Sequence, residues 1–177
     1  MKKYRKMLSD MDAPYIQSLM RLIETQSKIT LARWAIDYAR TNVLPIYEKA
    51  YPGDERCKNA LDAAAEWLDG KAKLPYVKDI ILNQCHAAAR EAENAPAGQA
   101  AARTCGQAAA TIHTPTHSIG LALYGALAVA YDRLGPDAGW DELLLVAADE
   151  CARMEAALRA VAVENEPNPA KINWNCK

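Results

Sequence analysis

The sequence predicts an all-α protein, a single domain of about seven to eight helices in orthogonal or solenoid-like hairpin packing. Nine prolines fall mostly at the edges of stretches that otherwise have helical patterns. Alternating runs of apolar and polar residues, typical of strands, are absent. Alanine is the commonest residue and clusters at 87–89, 100–102 and 108–110. Small side chains at this density let helix backbones approach closely.

Eight helical stretches follow from the positions of the breakers. They cover residues 14–24, 28–43, 45–50, 55–69, 75–93, 99–113, 115–134 and 141–161. The first opens at Pro14, with Asp12 upstream as a candidate cap. The second has apolar residues at 29, 32, 36, 39 and 43, and Pro45 either kinks it or restarts it. The turn 51–54 leads into the fourth stretch, which we expect Asp54 to cap and Gly70 to end.

The second half of the chain is divided in the same way. Residues 94–98 are predicted as a loop, and Thr114 as the cap of the helix that starts at Pro115. After the turn 135–139, Asp141 is expected to cap the longest helix. Its apolar stripe is the cleanest amphipathic signal in the chain and consists of Leu144, Ala147 or Ala148, Cys151, Met154, Leu158 and Val161. The tail from residue 166 is irregular, and Trp174 either docks it onto the body or marks a contact surface.

Length and composition are those of one globular domain. The chain has 177 residues, 51% of them hydrophobic and 24% charged. We therefore expect one domain over 1–177, with 1–10 and 166–177 as flexible or loosely docked termini. Because the formal net charge is −1, no long-range field favours nucleic acid or an anionic membrane, and we expect neither as a partner.

Several features favour a cytoplasmic protein. The basic run in residues 2–6 is followed by Leu8-Ser9-Asp10 rather than by an apolar segment, so it does not resemble a secretion signal. No window approaches the roughly 18 apolar residues of a membrane span. The odd number of cysteines and the absence of a CxxC pair indicate reduced thiols, which behave as small buried hydrophobes. The cysteines are Cys57, Cys85, Cys105, Cys151 and Cys176.

Four stretches carry a resemblance to a known family. They are 34–39 with 43–48, 50–56, Ala60-Leu61 with Trp67 and Gly70, and 86–92 continued by 108–113, 117–120 and Tyr124. In this order and spacing they resemble a bacterial immunity-protein family, similar to immunity family five of polymorphic toxin systems. The Tyr-Pro-x-Asp-x-Arg turn and two histidines four apart are the most specific parts. The resemblance implies an all-helical cytoplasmic protein that protects its producer by binding a cognate toxin, and it implies no particular reaction.

Polar residues in and near these stretches form a candidate binding pocket. It comprises Asp54, Arg56, His86, Arg90, His113, His117 and Tyr124. His86 and Arg90 are one helical turn apart and share a face. One interpretation is that they meet the 113–117 segment across two packed helices and form a small-molecule or anion site. The alternative is a polar network that fixes the register of the helices.

His113 and His117 are the only candidate metal ligands. On one continuous helix they would share a face and need a third ligand to hold a metal ion. Pro115 lies between them and is expected to break the helix. We therefore predict no metal centre and no cofactor, and we favour buried or half-buried histidines that are hydrogen-bonded between helices. The alternative is that the two histidines converge at the kink and hold a metal ion with a third ligand.

The Asp54-Glu55-Arg56 turn has two interpretations. Arg56 is suited to gripping a carboxylate or phosphate with its guanidinium. The structural interpretation is that Asp54 caps the helix and Arg56 pairs with an acidic neighbour.

We therefore favour a non-catalytic immunity protein whose partner is a toxin, with homo-oligomerisation left open. The alternative is a helical small-molecule- or metal-binding protein, or an enzyme, that uses the histidines with Arg90. A purely structural helical scaffold is the third hypothesis. Nucleophilic catalysis has little support because the chain has no Gly-x-Ser-x-Gly elbow and no glycine-rich phosphate loop.

Overall fold

The computed structural model describes residues 3–175, and all regular structure in that range is helical. The α-helices are α1 (Pro14–Ile23), α2 (Lys28–Tyr38), α3 (Leu44–Ala50), α4 (Arg56–Leu68), α5 (Leu74–Ile80), α6 (His86–Glu91), α7 (Pro96–Ala110), α8 (Leu127–Leu134) and α9 (Trp140–Val161). Three π-helical segments connect these helices. Ala39–Val43 joins α2 to α3, Ile81–Cys85 joins α5 to α6, and Leu121–Ala126 leads into α8. Pro115–Ile119 is a 3₁₀ turn. Segments joined in this way make seven helices in residues 3–175, and the predicted all-α single domain is confirmed.

Helix α7 lies at the centre of the molecule. It packs against α2, α3, α4, α6 and α8 and against all three π-helical segments. Eleven of its 15 residues are buried, and nearly all of these are Ala, Gly, Cys or Thr. Because such side chains are short, several helices approach this one at close range. The Ala-rich pattern noted in the sequence therefore marks the core helix.

The N-terminal segment packs along α8. The backbone N–H of Leu8 donates to the carbonyl of Leu123 at 2.8 Å, and the side chain of Leu8 is buried. The hydroxyl of Tyr131 donates to the carbonyl of Arg5 at 2.8 Å. We refer to residues 3–8 as the N-terminal strap.

The C-terminal segment runs back over α1. The side-chain amide of Gln26 donates to the carbonyl of Val163 and accepts from its N–H, at 3.1 and 2.7 Å. The indole N–H of Trp174 donates to Oε1 of Glu24 at 2.6 Å. Of the two interpretations of Trp174, the structure shows the docked one.

Two predicted helix boundaries were wrong. Helix α7 begins at Pro96, within the predicted loop, because proline is well accommodated in the first helical turn. It ends at Ala110, so His113 lies beyond it. The positive φ of Gly70, +72°, confirms the predicted end of α4, since glycine adopts this conformation at low cost.

The predicted caps were mostly wrong. The side chains of Asp12, Thr114 and Asp141 make no cap hydrogen bond; the residue preceding α9 is Gly139, whose N–H donates to Glu142 at 3.0 Å. Asp54 lies one residue before the cap position, and its Oδ1 accepts from the N–H of Arg56 at 3.1 Å. Asp54 therefore accepts a hydrogen bond from a backbone N–H at the start of α4, although it precedes the cap position by one residue.

The two predicted apolar stripes were right except at three positions, Ile29, Leu144 and Val161. Ile29 and Val161 are 45% and 53% exposed because they lie in the first turn of α2 and at the last residue of α9. In α9 the buried residue is Leu143 rather than the half-buried Leu144.

The cysteines of the described range are free and buried, as predicted: Cys57, Cys85, Cys105 and Cys151. The described residues do not include Lys2, Cys176 or the outermost residues of the two predicted termini. Within residues 3–175, no helix combines the length and the apolar character needed to cross a membrane.

Candidate functional site

Asp54 and Arg56 form the centre of a polar network at the start of α4. The guanidinium of Arg56 donates to both carboxylate oxygens of Asp54, at 2.7 to 3.1 Å. Nη1 of Arg56 lies 2.8 Å from Oε2 of Glu91, which is the last residue of α6. The hydroxyl of Tyr47 on α3 donates to Oδ2 of Asp54 at 2.7 Å. The network thus ties α3, the 51–55 turn, α4 and α6 together.

The electrostatics of this network hold Asp54 in its charged form. Hydrogen bonds from Arg56 are the largest influence and, with the Tyr47 hydroxyl, lower the pKa of Asp54 to about 2. Burial and the bond to Asp54 raise the pKa of Tyr47 above its ordinary value. Arg56 is engaged by two carboxylates, so its fork is occupied by protein groups.

His86 opens α6 and packs closely against a glycine of the central helix. A Cβ placed on Gly106 would lie 2.6 Å from Cε1 and 2.8 Å from Nδ1 of His86. Only glycine at this position leaves room for the imidazole ring. Gly106 is therefore a sequence feature that positions His86.

His117 lies on the 3₁₀ turn that follows α7 and contacts the same helix. Its Nδ1 is 2.6 Å from Oε1 of Gln107. Gly120 leaves space for that side chain, because a Cβ there would lie 2.6 Å from the Cβ of Gln107. The ring of His113 is 6.3 Å from that of His117, centroid to centroid, at an interplanar angle of 56°.

All three histidines are held in their neutral form by their surroundings. Burial is the first cause in each case and lowers the pKa below the ordinary value of 6.5. For His86 the charges of Arg90 and Arg103, and the charge that His117 would carry if protonated, add to this effect. We call His86, His113, His117, Arg103 and Gln107 the histidine seam.

Two seam atoms and one neighbouring atom are buried without a hydrogen-bond partner in the described chain. They are Nδ1 of His113, Nε of Arg103 and Oγ of Ser118. A buried polar atom without a partner costs about 1–3 kcal/mol. In residues 3–175 no group of three or more His, Cys, Asp or Glu side chains is arranged to hold a metal ion.

The remaining predicted site residues lie at the margins. Arg90 is exposed and acts on His86 through its charge. Tyr124 is half-buried in the π-helical segment Leu121–Ala126, against the core. The predicted pocket is thus divided into the Asp54–Arg56 network at one end of α6 and the histidine seam at the other.

Sequence reasoning missed a buried carboxylate, Glu150. It is 3% exposed, accepts a hydrogen bond from the hydroxyl of Tyr38 at 2.6 Å, and lies 3.7 Å from Arg133. It lines a pocket of about 370 Å³ together with Thr41 and Asn42 of a π-helical segment, a type of segment often found at functional sites. The sequence pattern that could have identified Glu150 is its position on the apolar stripe of α9, three residues after Ala147 and four before Met154.

A surface groove, separate from this pocket, runs between α2 and α9. Its volume is about 360 Å³ and its lining is largely apolar. The lining residues are Thr30, Arg33, Trp34, Asp37, Tyr38, Ala157 and Val161. Trp34 forms part of the lining and is fixed by an indole N–H that donates to the carbonyl of Met154 at 3.1 Å. Trp34, Asp37 and Tyr38 belong to the first stretch that carries the family resemblance.

Comparison with known proteins gives one result. A family model described as Imm-5 like putative immunity protein matches residues 21–157, well over half of the chain. No curated protein and no solved structure matches the chain. The matched range includes the Asp54–Arg56 network, the histidine seam and all of the α2/α9 groove except Val161.

Proposed function

The chain belongs to the family of Imm-5 like putative immunity proteins, and from this premise we propose that it binds and neutralises a cognate bacterial toxin without catalysing a reaction. The observation that carries the proposal is the family match over residues 21–157. We further propose that it acts in the cytoplasm, where a toxin would reach the producing cell.

The surface that we propose for the toxin is the α2/α9 groove. Arg is one of the residue types that carry most binding energy in protein interfaces, and Arg33 is exposed at the groove. Trp34 and Tyr38, only 3% and 9% exposed, form its floor. Val161 adds an apolar side chain that is 53% exposed. The rim is polar, with Asp37 and the Arg33–Asp69 ion pair at 3.5 Å. An apolar centre with a polar rim is the usual anatomy of a binding interface.

The groove is also rigid. Trp34 is anchored on α9 and Tyr38 on Glu150, so both aromatic residues are fixed before a partner arrives. Pre-organised side chains lose less conformational entropy on binding. The proposed mechanism is steric: an apolar segment of the toxin occupies the groove, and the body of the immunity protein covers the toxin's active site or substrate surface.

A growth assay tests the proposal. Each toxin domain encoded beside the gene for this chain is expressed in a susceptible host, with and without the chain. We expect growth to be restored for one toxin. Arg33→Glu, which places a carboxylate at the groove, should abolish protection, while Leu145→Glu should not, because Leu145 is 74% exposed on α9 and does not line the groove.

The outcomes separate the general claim from the specific one. Protection by wild type and by both variants would move the binding surface elsewhere and leave the immunity function standing. Absence of protection against every toxin tested, with the chain soluble and folded in the host, would contradict the immunity function.

A second candidate function rests on the histidine seam. The unpaired atoms of His113 and Arg103 favour a bound polar small molecule that supplies the missing partners. Native mass spectrometry with elemental analysis of the purified protein tests it. A retained molecule that is lost in His113→Ala would support this candidate, and a protein of the sequence mass alone would contradict it.

A further inference from the structure

A cavity of about 290 Å³ lies between the N-terminal strap and the beginning of α7. The strap contributes Lys3, Arg5 and Lys6 to its lining, and the other wall contributes Glu93 and Gln99. The three cations precede the family-matched range, so the cavity has chemistry that the family assignment does not explain.

The three cations of the strap outnumber the single carboxylate of the cavity lining, Glu93. Within the described chain, Lys3, Arg5 and Lys6 form no ion pair with an acidic side chain, although ten other Lys or Arg residues do. Three unpaired cations on one wall repel each other and attract an anion. The cavity therefore favours a negatively charged ligand.

Arg5 is exposed and is positioned by two contacts. Its guanidinium carbon lies 4.1 Å from the centroid of the Trp140 ring, and its carbonyl accepts from Tyr131. Three residues on, the strap is fixed again by buried Leu8. An arginine stacked on an aromatic ring retains its N–H donors for an anion, and its planar fork matches phosphate oxygens. In the described structure this guanidinium makes no hydrogen bond of its own, so its donors are available to a ligand.

The opposite wall has acceptors rather than donors. Glu93 is exposed and forms no ion pair within residues 3–175. Gln99 is 7% exposed and donates to the carbonyl of Ala89 at 2.8 Å, which aligns its amide. Its Oε1 accepts no hydrogen bond from the described residues. Carboxylate and amide oxygens bind hydroxyl groups of a ligand.

We propose that this cavity binds a small phosphorylated molecule that also bears hydroxyl groups, with the phosphate on Arg5, Lys3 and Lys6 and the hydroxyls on Glu93 and Gln99. The volume is at the lower end of the range for ligand pockets, which suits a molecule the size of a sugar phosphate. The site is independent of the proposed toxin interface and uses none of its residues.

The test is calorimetric titration of the full chain with ribose 5-phosphate, ribose and inorganic phosphate at low salt. We expect one ribose 5-phosphate per chain, weaker binding of inorganic phosphate, and no binding of ribose. Arg5→Ala should weaken ribose 5-phosphate binding about tenfold or more, the loss expected for a hydrogen-bonded charge pair. Lys71→Ala, which removes an exposed cation on the turn after α4, should leave the affinity unchanged.

Two further measurements make the result decisive. The Lys3→Ala/Lys6→Ala double variant should also bind weakly, and it leaves the Arg5–Trp140 contact in place. Glu93→Gln should strengthen binding of inorganic phosphate, because a repelling charge is lost. It should also reduce the difference in affinity between ribose 5-phosphate and inorganic phosphate. Absence of ribose 5-phosphate binding, or equal affinities of wild type and Arg5→Ala, would overturn the site; equal affinities for ribose 5-phosphate and inorganic phosphate would overturn the hydroxyl-bearing ligand.

Discussion

The hydroxyl of Tyr38 on α2 donates to the buried carboxylate of Glu150 on α9 at 2.6 Å. The guanidinium of Arg133 lies 3.7 Å from Oε2 of Glu150. Burial and this hydrogen bond raise the pKa of Tyr38 well above its ordinary value, so the phenol remains a donor. The two residues join the α2/α9 groove to the polar pocket behind it.

Removing the Tyr38 hydroxyl should destabilise the protein. In Tyr38→Phe the Glu150 carboxylate stays buried and loses its hydrogen bond, at a cost of about 1–3 kcal/mol. Urea unfolding measures the change. In a Glu150→Gln background the same substitution should cost less, because no charge is left without a partner. Equal costs in the two backgrounds would show that the charge of Glu150 does not contribute to the effect.

Asp54→Asn should lower stability at neutral pH by about 1 kcal/mol, since the carboxylate bonded to Arg56 is partly exposed and screened. The folded-state pKa of about 2 lies below the ordinary 3.8. The contribution is therefore complete above about pH 4 and is lost as pH falls toward 2. Unfolding free energies of wild type and variant at pH 7 and pH 2.5 should accordingly converge in acid. A gap that is constant with pH would assign the effect to packing instead.

Gly106→Ala should destabilise the protein although alanine is the better helix former by about 1 kcal/mol. The new methyl group would overlap His86, because two atoms of that ring lie 2.6 and 2.8 Å from where the methyl carbon would stand. Thermal unfolding should show a lower midpoint for Gly106→Ala in wild type. In a His86→Ala background, where the ring is gone, the same change should raise the midpoint. A rise in both backgrounds would contradict the close packing of Gly106 and His86.

Stability should fall as pH decreases from 7.5 to 5.5. The folded state holds the three histidines at pKa values below 6.5, so the unfolded chain binds more protons in this window. Stability therefore rises with pH and is complete above about pH 6.5. Urea midpoints at both values measure the slope, and replacing His86 and His117 with Gln should flatten it. An unchanged slope in that variant would place the titrating groups elsewhere.

Much of the fold was readable from the sequence because its signals are local. Proline and glycine placed most of the breaks, and period-3.6 stripes found the buried residues in the middle of each helix. Ile29 and Val161 were misassigned because burial at helix ends depends on where neighbouring helices stop. Pro96 was misassigned because proline signals both a loop and a first helical turn.

The candidate site was less predictable because it depends on contacts between distant residues. The sequence indicated that Asp54 caps a helix and that Arg56 pairs with an acidic neighbour, but Glu91 as a partner of Arg56 follows only from the packing of α6 beside α4. Glu150 stands on an apolar stripe, where its charge was an available signal, but its partner Tyr38 is 112 residues away. The α2/α9 groove likewise needs the tertiary structure.

The central claim, that this chain neutralises a toxin by forming a complex with it, is tested most directly by native mass spectrometry. The purified chain is mixed with the toxin domain that it protects against, and toxin activity is measured on the same samples. We predict a complex of defined stoichiometry for wild type, loss of toxin activity in proportion to complex formed, and neither effect for Arg33→Glu. Loss of toxin activity at substoichiometric amounts of the chain, with no complex detected, would contradict the account and indicate catalytic inactivation.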